Sequence, residues 1–204
     1  YPRDGSDYET LMKNADLSMY HAKDSGRNTY RLFEPEMNKR IVSHVQIDNA
    51  LRYALQQKEF YLVYQPLIDL KHHRIVGTEA LLRWQSHLIG EVSPFDFIPI
   101  AEENGMIIDI GAWVLEEACT QTMAWHQKGF KDLMVSVNIS GRQLHQSALP
   151  DLIKRVLSKT GFPARCLELE LTESLLVDNV EHAVEMMYQF KDMGVTLSID
   201  DFGT

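Results

Sequence analysis

An α/β fold with a parallel sheet is what this sequence predicts, on two observations. From Tyr61 onward, short apolar strand patterns alternate with longer helical ones, the order that βαβ units produce. Three of the later strands also carry apolar residues at every second position with oxygen-bearing residues between them. That is the pattern of a sheet with one face against helices and the other around a site.

The elements follow in chain order. Tyr1-Pro2-Arg3-Asp4-Gly5 reads as a turn with no element before it, as at a cut through a domain. A helix over 8–23 places Leu11, Ala15 and Met19 on one face, and Asp24-Ser25-Gly26-Arg27-Asn28 stops it. A second helix over 38–58 has Ile47, Ala50, Leu51, Ala54 and Leu55 at helical spacing. Strands follow at Tyr61–Leu67 and Arg74–Arg83, then a short helix after Ser93-Pro94 and a long one over 109–128. A strand at Leu133–Ile139 precedes a helix over 149–159, whose Leu149, Leu152, Ile153, Val156 and Leu157 fit one apolar face and which Gly161 and Pro163 close. A strand at Leu167–Leu171, a helix over 180–193 and a strand at Val195–Asp200 complete a count of five strands.

Composition narrows the function. With 204 residues and 45% hydrophobic content the chain can bury a full core. Its 29 acids against 20 bases give a net charge of −9, which argues against a surface for duplex nucleic acid. A small anionic substrate stays compatible with that charge if a metal neutralises the local acids. Cys119 and Cys166 have neither disulfide-framework nor zinc spacing and read as two buried thiols in a reducing compartment. No apolar run is long enough to span a bilayer and no signal peptide is readable, so the segment is expected to be cytoplasmic, or the cytoplasmic portion of a membrane-bound sensor.

Strand parity selects the candidate site. Leu133, Val135, Val137 and Ile139 share one face and leave Asn138 on the other; Leu167, Leu169 and Leu171 leave Glu168 and Glu170; Val195, Leu197 and Ile199 leave Thr196, Ser198 and Asp200. Asn138, Glu170 and Asp200 therefore point inward near the C-terminal ends of their strands, where a β/α barrel places its active site. Glu79 and Arg83 share parity on an earlier strand and could join them. Any one such acid is ordinarily solvated or a cap, and Asn138 alone could bond its neighbouring loop. Gathered together they repel unless a cation sits among them, and oxygen-only ligands select Mg²⁺ or Mn²⁺, with Ca²⁺ a less useful occupant.

Six motifs in order carry a family resemblance: Tyr64-Gln65-Pro66, Glu79-Ala80-Leu81-Leu82-Arg83-Trp84, Phe97-Ile98-Pro99-Ile100-Ala101-Glu102, Ser136-Val137-Asn138-Ile139-Ser140, Glu168-Leu169-Glu170-Leu171-Thr172-Glu173-Ser174 and Ile199-Asp200-Asp201-Phe202-Gly203-Thr204. On these the chain resembles an EAL domain, the cyclic-di-GMP phosphodiesterase family. Leu11, Ala15-Asp16, Met19-Tyr20, Ala22-Lys23 and Gly26-Arg27-Asn28 resemble the C-terminal tail of a GGDEF (diguanylate cyclase) domain without its signature loop. The organisation implied is a GGDEF remnant over 1–35, a linker over 36–43 and the N-terminal two-thirds of an EAL domain over 44–204.

The resemblance implies a TIM-like (β/α) barrel of EAL type, incomplete at about five strands where a full barrel has about eight. Glu79, Asn138, Glu170 and Asp200 would ligate a first metal; Asp201 would hold a second metal or its water, and Glu173 would anchor the loop that Asp201 begins. Gln65 and Arg83 would hold the dinucleotide, Arg83 through a phosphate oxygen. The implied reaction, assigned to the parent protein, is hydrolysis of cyclic-di-GMP to linear pGpG with two Mg²⁺ or Mn²⁺ ions, Ca²⁺ being inhibitory. This chain would carry the metal and substrate half-site and be inactive alone. The alternative is an inactive EAL receptor for cyclic-di-GMP or a regulatory or dimerisation module, and the resemblance implies a homodimer.

Overall fold

A computed structural model describes residues 2–24, 28–172 and 180–200. Glu173 and Asp201, both expected at the site, lie outside the described residues, and so does the side chain of Asp200. The chain divides into two compact units, 1–49 and 50–204.

The first unit holds helix α1 (Tyr8–Asp24) and most of α2 (Pro35–Ala54). Asp7 starts α1 by accepting the Thr10 N–H at 2.9 Å and the Thr10 hydroxyl at 2.8 Å, which supplies an orphan donor of the first turn with its partner and holds the carboxyl below its ordinary range. Residues 36–43, expected as a linker, run within α2. That helix ends at Ala54, earlier than its apolar spacing suggests, because the chain turns through Lys58 at φ 56° into the sheet.

The second unit is built on one sheet. Its strands are β1 (Phe60–Asp69), β2 (Arg74–Ser86), β3 (Gly90–Val92), β4 (Met134–Ile139), β5 (Leu167–Thr172) and β6 (Thr196–Asp200), in the order β1-β2-β4-β5-β6 with β3 paired to β2. Between them lie α3 (Pro94–Asn104), α4 (Ile107–Gln127), α5 (Gly141–Leu144), α6 (Leu149–Thr160) and α7 (Val180–Asp192). The pairs β2–β4, β4–β5 and β5–β6 are parallel, as expected. β1 departs from that expectation and pairs antiparallel with β2. The connection from Asp69 to Arg74 is far too short for a parallel crossover, so the two strands fold back as a hairpin. Asp69 shapes that turn by accepting the Lys71 and His72 N–H groups at 2.9 and 3.2 Å, and its contact with the His72 ring holds the carboxyl below its ordinary range.

The core lies between the sheet and its helices. Val135, Val137, Leu167, Leu169 and Leu171 are buried against Leu115, Ala118, Ile153, Met186 and Phe190, each large apolar side chain there contributing roughly 1.5–3 kcal/mol. Gly161 caps α6 in the left-handed region at φ 68° and takes the bond to the Leu157 carbonyl that the sequence assigns it. Both cysteines are free and buried; burial pushes the Cys119 thiol up to about 12 and raises Cys166 as well. Among the described residues no helix is long and apolar enough to cross a membrane.

Gly111, in α4, has a packing reason to be glycine. A Cβ there would sit 1.9 Å from Nε2 of Gln143, whose side chain is buried and closes a capping box with Ser140 at the start of α5. Gly111→Ala must therefore push Gln143 out of that box. We expect a loss of about 1–3 kcal/mol in stability, read by denaturant unfolding, although alanine is the better helix former.

Candidate active site

Register brings the candidate residues to one face. Gln65 of β1 lies opposite Glu79 of β2, Glu79 opposite Ser136 of β4, Asn138 opposite Glu170 of β5, and Glu170 opposite Ser198 of β6. Asp200 is paired with Thr172 at the last rung. Paired residues on neighbouring strands project to the same side, so Gln65, Glu79, Ser136, Asn138, Glu170 and Ser198 line the inner face in rising layers while Val135, Val137, Leu167, Leu169 and Leu171 line the other.

The lower layer is closed on itself. Ser136, fully buried, donates its hydroxyl to Glu168 at 2.7 Å, so that carboxylate is occupied as a structural acceptor. One layer up, Asn138 donates its Nδ2–H to Oε1 of half-buried Glu79 at 2.8 Å, a contact between residues 59 positions apart. The Ser198 hydroxyl, beside Glu170 in register, is buried and has no hydrogen-bond partner among the described residues. Two carboxylates, an amide and that hydroxyl thus gather on one face, toward the ends of β4, β5 and β6 and midway along β2.

This donor set fits a hard divalent cation. Turned half a revolution, the Asn138 amide would present its oxygen beside the carboxylate it now bonds, giving an all-oxygen set from separate strands. Among the described residues no group of three His, Cys, Asp or Glu side chains forms a metal cage by itself. Glu79 and Glu170 with Asn138 are the part of the expected set that the described residues bring together.

Next to this set lies a cavity of about 430 Å³, with Arg83, Asn138, Ser140, Phe95, Ile98 and Glu102 among its lining residues. Arg83 is half-buried and braces its guanidinium on the Leu82 carbonyl at 2.8 Å. Burial raises the Glu102 carboxyl above its ordinary range, an effect partly countered by the Arg142 guanidinium. Arg142 also donates to the Glu102 carbonyl and, at 2.9 Å, to the Glu103 carbonyl, which satisfies the exposed acceptors at the end of α3. Sequence reasoning gave Glu102 no role in the site. The available signal was helical spacing: Phe95, Ile98 and Glu102 stand at i, i+3 and i+7 on the face of α3 turned to the cavity, opposite buried Phe97, Ile100 and Ala101. Gln65 is exposed on the inner face of β1, opposite Glu79 in register.

The EAL domain family matches residues 48–204. The chain is 41% identical over 204 residues to the bifunctional diguanylate cyclase/cyclic di-GMP phosphodiesterase MucR of Pseudomonas aeruginosa, covering 100% of this chain and 30% of that protein. It is 40% identical over 203 residues to the cyclic di-GMP phosphodiesterase PdeR of Escherichia coli, with 100% of this chain covered. An uncharacterized signaling protein of Caulobacter vibrioides is 43% identical, with 25% of its length covered. The chain therefore spans about a quarter to a third of the length of these curated relatives. Among solved structures, the PaMucR phosphodiesterase in complex with c-di-GMP superposes with a TM-score of 0.75 at 38% identity, over 78% of this chain and 64% of that one. The EAL enzyme Bd1971 in its cAMP- and cyclic-di-GMP-bound form gives 0.72 at 33% identity, over 98% of this chain and 52% of that one. The sheet order and these superpositions are those of an incomplete TIM-like (β/α) barrel. On the family match and the shared fold, this chain belongs to the EAL-domain family.

Proposed function

We propose that the parent protein hydrolyses cyclic-di-GMP to linear pGpG and that this chain carries the metal-binding and substrate-binding half of the site. The observation that carries this reading is the contact between Glu79 and Asn138 at the mouth of the parallel strands, with Glu170 in register beside them. Relatives named as cyclic di-GMP phosphodiesterases and a solved relative holding c-di-GMP support the choice of substrate.

In this reading Glu79, Asn138, Glu170 and Asp200 hold one divalent cation, Mg²⁺ or Mn²⁺, and Asp201 serves a second, with Ca²⁺ an inhibitory occupant. When bound, such ions would supply an activated water near neutral pH and offset charge on the departing 3′ oxygen. Arg83 takes a phosphate oxygen with a guanidinium already braced on its own strand, so little side-chain freedom is lost on binding. Gln65 reaches the dinucleotide from the neighbouring strand, directly across from Glu79. Glu173 anchors the loop that Asp201 begins. The face of α3 that carries Ile98 and Glu102 would line one side of the bound ligand.

The organisation proposed is a GGDEF remnant over 1–35, a linker over 36–43 and an EAL portion over 44–204, in a cytoplasmic protein or cytoplasmic region that forms homodimers. Dimerisation rests on resemblance alone.

Two experiments bear on the site. Glu79→Ala in the parent protein should lower Mn²⁺-dependent pGpG release by more than about a hundredfold, measured by chromatography of the product; undiminished release refutes the assignment. Binding of cyclic-di-GMP with no release by the unaltered protein would instead make it a receptor. Asn138→Asp sets a third carboxylate against Glu79, so in EDTA the repulsion should cost about 1 kcal/mol and lower Tm by about 2–4 °C. Added Mn²⁺ should recover most of that shift if the three oxygens share an ion.

A further inference from the structure

Glu59 is a buried acid to which the proposed reaction gives no part. It sits between the end of α2 and the start of β1, 4% exposed, and both its carboxylate oxygens are occupied by the far end of β2. Oε2 accepts the indole N–H of Trp84 at 2.9 Å, and Oε1 accepts the backbone N–H of His87 at 2.9 Å. Its main chain makes the same connection, since the Gln85 N–H donates to the Glu59 carbonyl at 3.0 Å and the Glu59 N–H donates to the Ala54 carbonyl at 3.0 Å. Four hydrogen bonds therefore converge on one residue and tie three elements together.

The chemistry of the side chain is specific to a carboxylate. Two N–H donors face it from two directions, and only a group that accepts through both oxygens satisfies them. Glutamine would fit the space but set an N–H against an N–H. Burying an acid against neutral donors is a costly way to gain stability, and a geometric requirement at the end of β2 accounts for it better.

That end of β2 holds Arg83. Its guanidinium is braced on the Leu82 carbonyl, so it moves with the backbone immediately before Trp84. Trp84 is fully buried; its ring meets Phe97 edge-on at 5.4 Å and Phe60 at 5.8 Å. Phe97 belongs to α3, whose Phe95, Ile98 and Glu102 wall the cavity beside Arg83. Glu79, lower on the same strand, is held separately by its pairing with Gln65 and Ser136. Slackening Glu59 would thus shift the phosphate-binding arginine and the cavity wall while leaving Glu79, midway along β2, in place.

We propose that Glu59 is a positioning residue for ligand binding, a clamp on β2 that sets the place of Arg83 and of the α3 wall. The proposal rests on the reading of Arg83 as a phosphate ligand of cyclic-di-GMP. Its signature is a split between affinity and turnover, which a residue acting through stability alone does not produce.

The test uses Glu59→Gln, which keeps Trp84 and its packing intact, and, separately, Trp84→Phe, which keeps an aromatic ring in place while removing the N–H donor and part of the ring's bulk. In the parent protein with Mn²⁺, each variant should raise KM and Kd for cyclic-di-GMP about tenfold with kcat within about twofold of the unaltered enzyme. Unchanged KM and Kd in Trp84→Phe would overturn the clamp even if Glu59→Gln fails to fold, and so would a loss confined to kcat. Should the unaltered protein neither bind nor hydrolyse cyclic-di-GMP, the proposed function falls. Backbone amide exchange then decides the clamp by itself. Faster exchange over 82–87 in Trp84→Phe, with β4 and β5 unchanged, supports it, and unchanged exchange over 82–87 overturns it.

Discussion

The register of three parallel strands is the constraint on which this site depends. With Glu79 level with Ser136, and Asn138 level with Glu170, the Glu79 carboxylate and the Asn138 amide come within 2.8 Å although 59 residues separate them. Strand side chains alternate with period two, so a one-residue slip of β4 would turn Asn138 into the core and bring Val137 or Ile139 to the inner face. The buried leucines of β5 and valines of β4 forbid that slip, because each would exchange an apolar contact with α4 or α6 for solvent. The oily face of the sheet thus fixes the geometry of the polar one.

A sheet that gathers carboxylates must also satisfy the polar groups beneath them. Here the lower layer is completed by Ser136 and Glu168, and the loop leaving β4 is locked by the reciprocal bonds of Ser140 and Gln143. Gly111 makes room for Gln143, and Arg142 closes the open carbonyls of α3. These are the supports that hold Asn138 and the cavity wall still, and none of them belongs to the proposed ligand set of the cation. Preorganisation of this kind is built into the fold before any ligand arrives.

Much of the fold was legible because its signals are local. Alternating apolar residues in β4, β5 and β6 gave both the strands and their inner faces, and the five apolar positions of α6 gave that helix to within a residue at its end. Asn138 and Glu170 could be placed on the inner face for the same reason. The reversed direction of β1, the three residues of β3 and the single turn of α5 were not legible from periodicity, since each is too short or is decided by what it pairs with. Gly111 and Arg142 escaped for a related reason: their meaning lies in a residue roughly thirty to forty positions away. Glu102 was missed although its helical spacing was available, because a lone acid on a helix face is usually solvated.

The reversal of β1 also has a chemical consequence. A parallel β1 would need a crossover connection and would join the sheet as an edge strand with its own C-terminal end at the site. As a hairpin partner it instead runs away from the site, and the residue that meets Glu79 is Gln65 in its middle, with Tyr61 meeting Arg83 farther along β2. The two residues proposed to hold the dinucleotide therefore come from neighbouring strands of opposite direction, Gln65 level with Glu79 and Arg83 farther along β2. Rigid pairing across the hairpin sets the spacing between them. The separation of Gln65 from Arg83 is then a property of the sheet and does not vary with the loops, which suits recognition of a compact ligand whose phosphates are themselves held at a fixed distance by its ring.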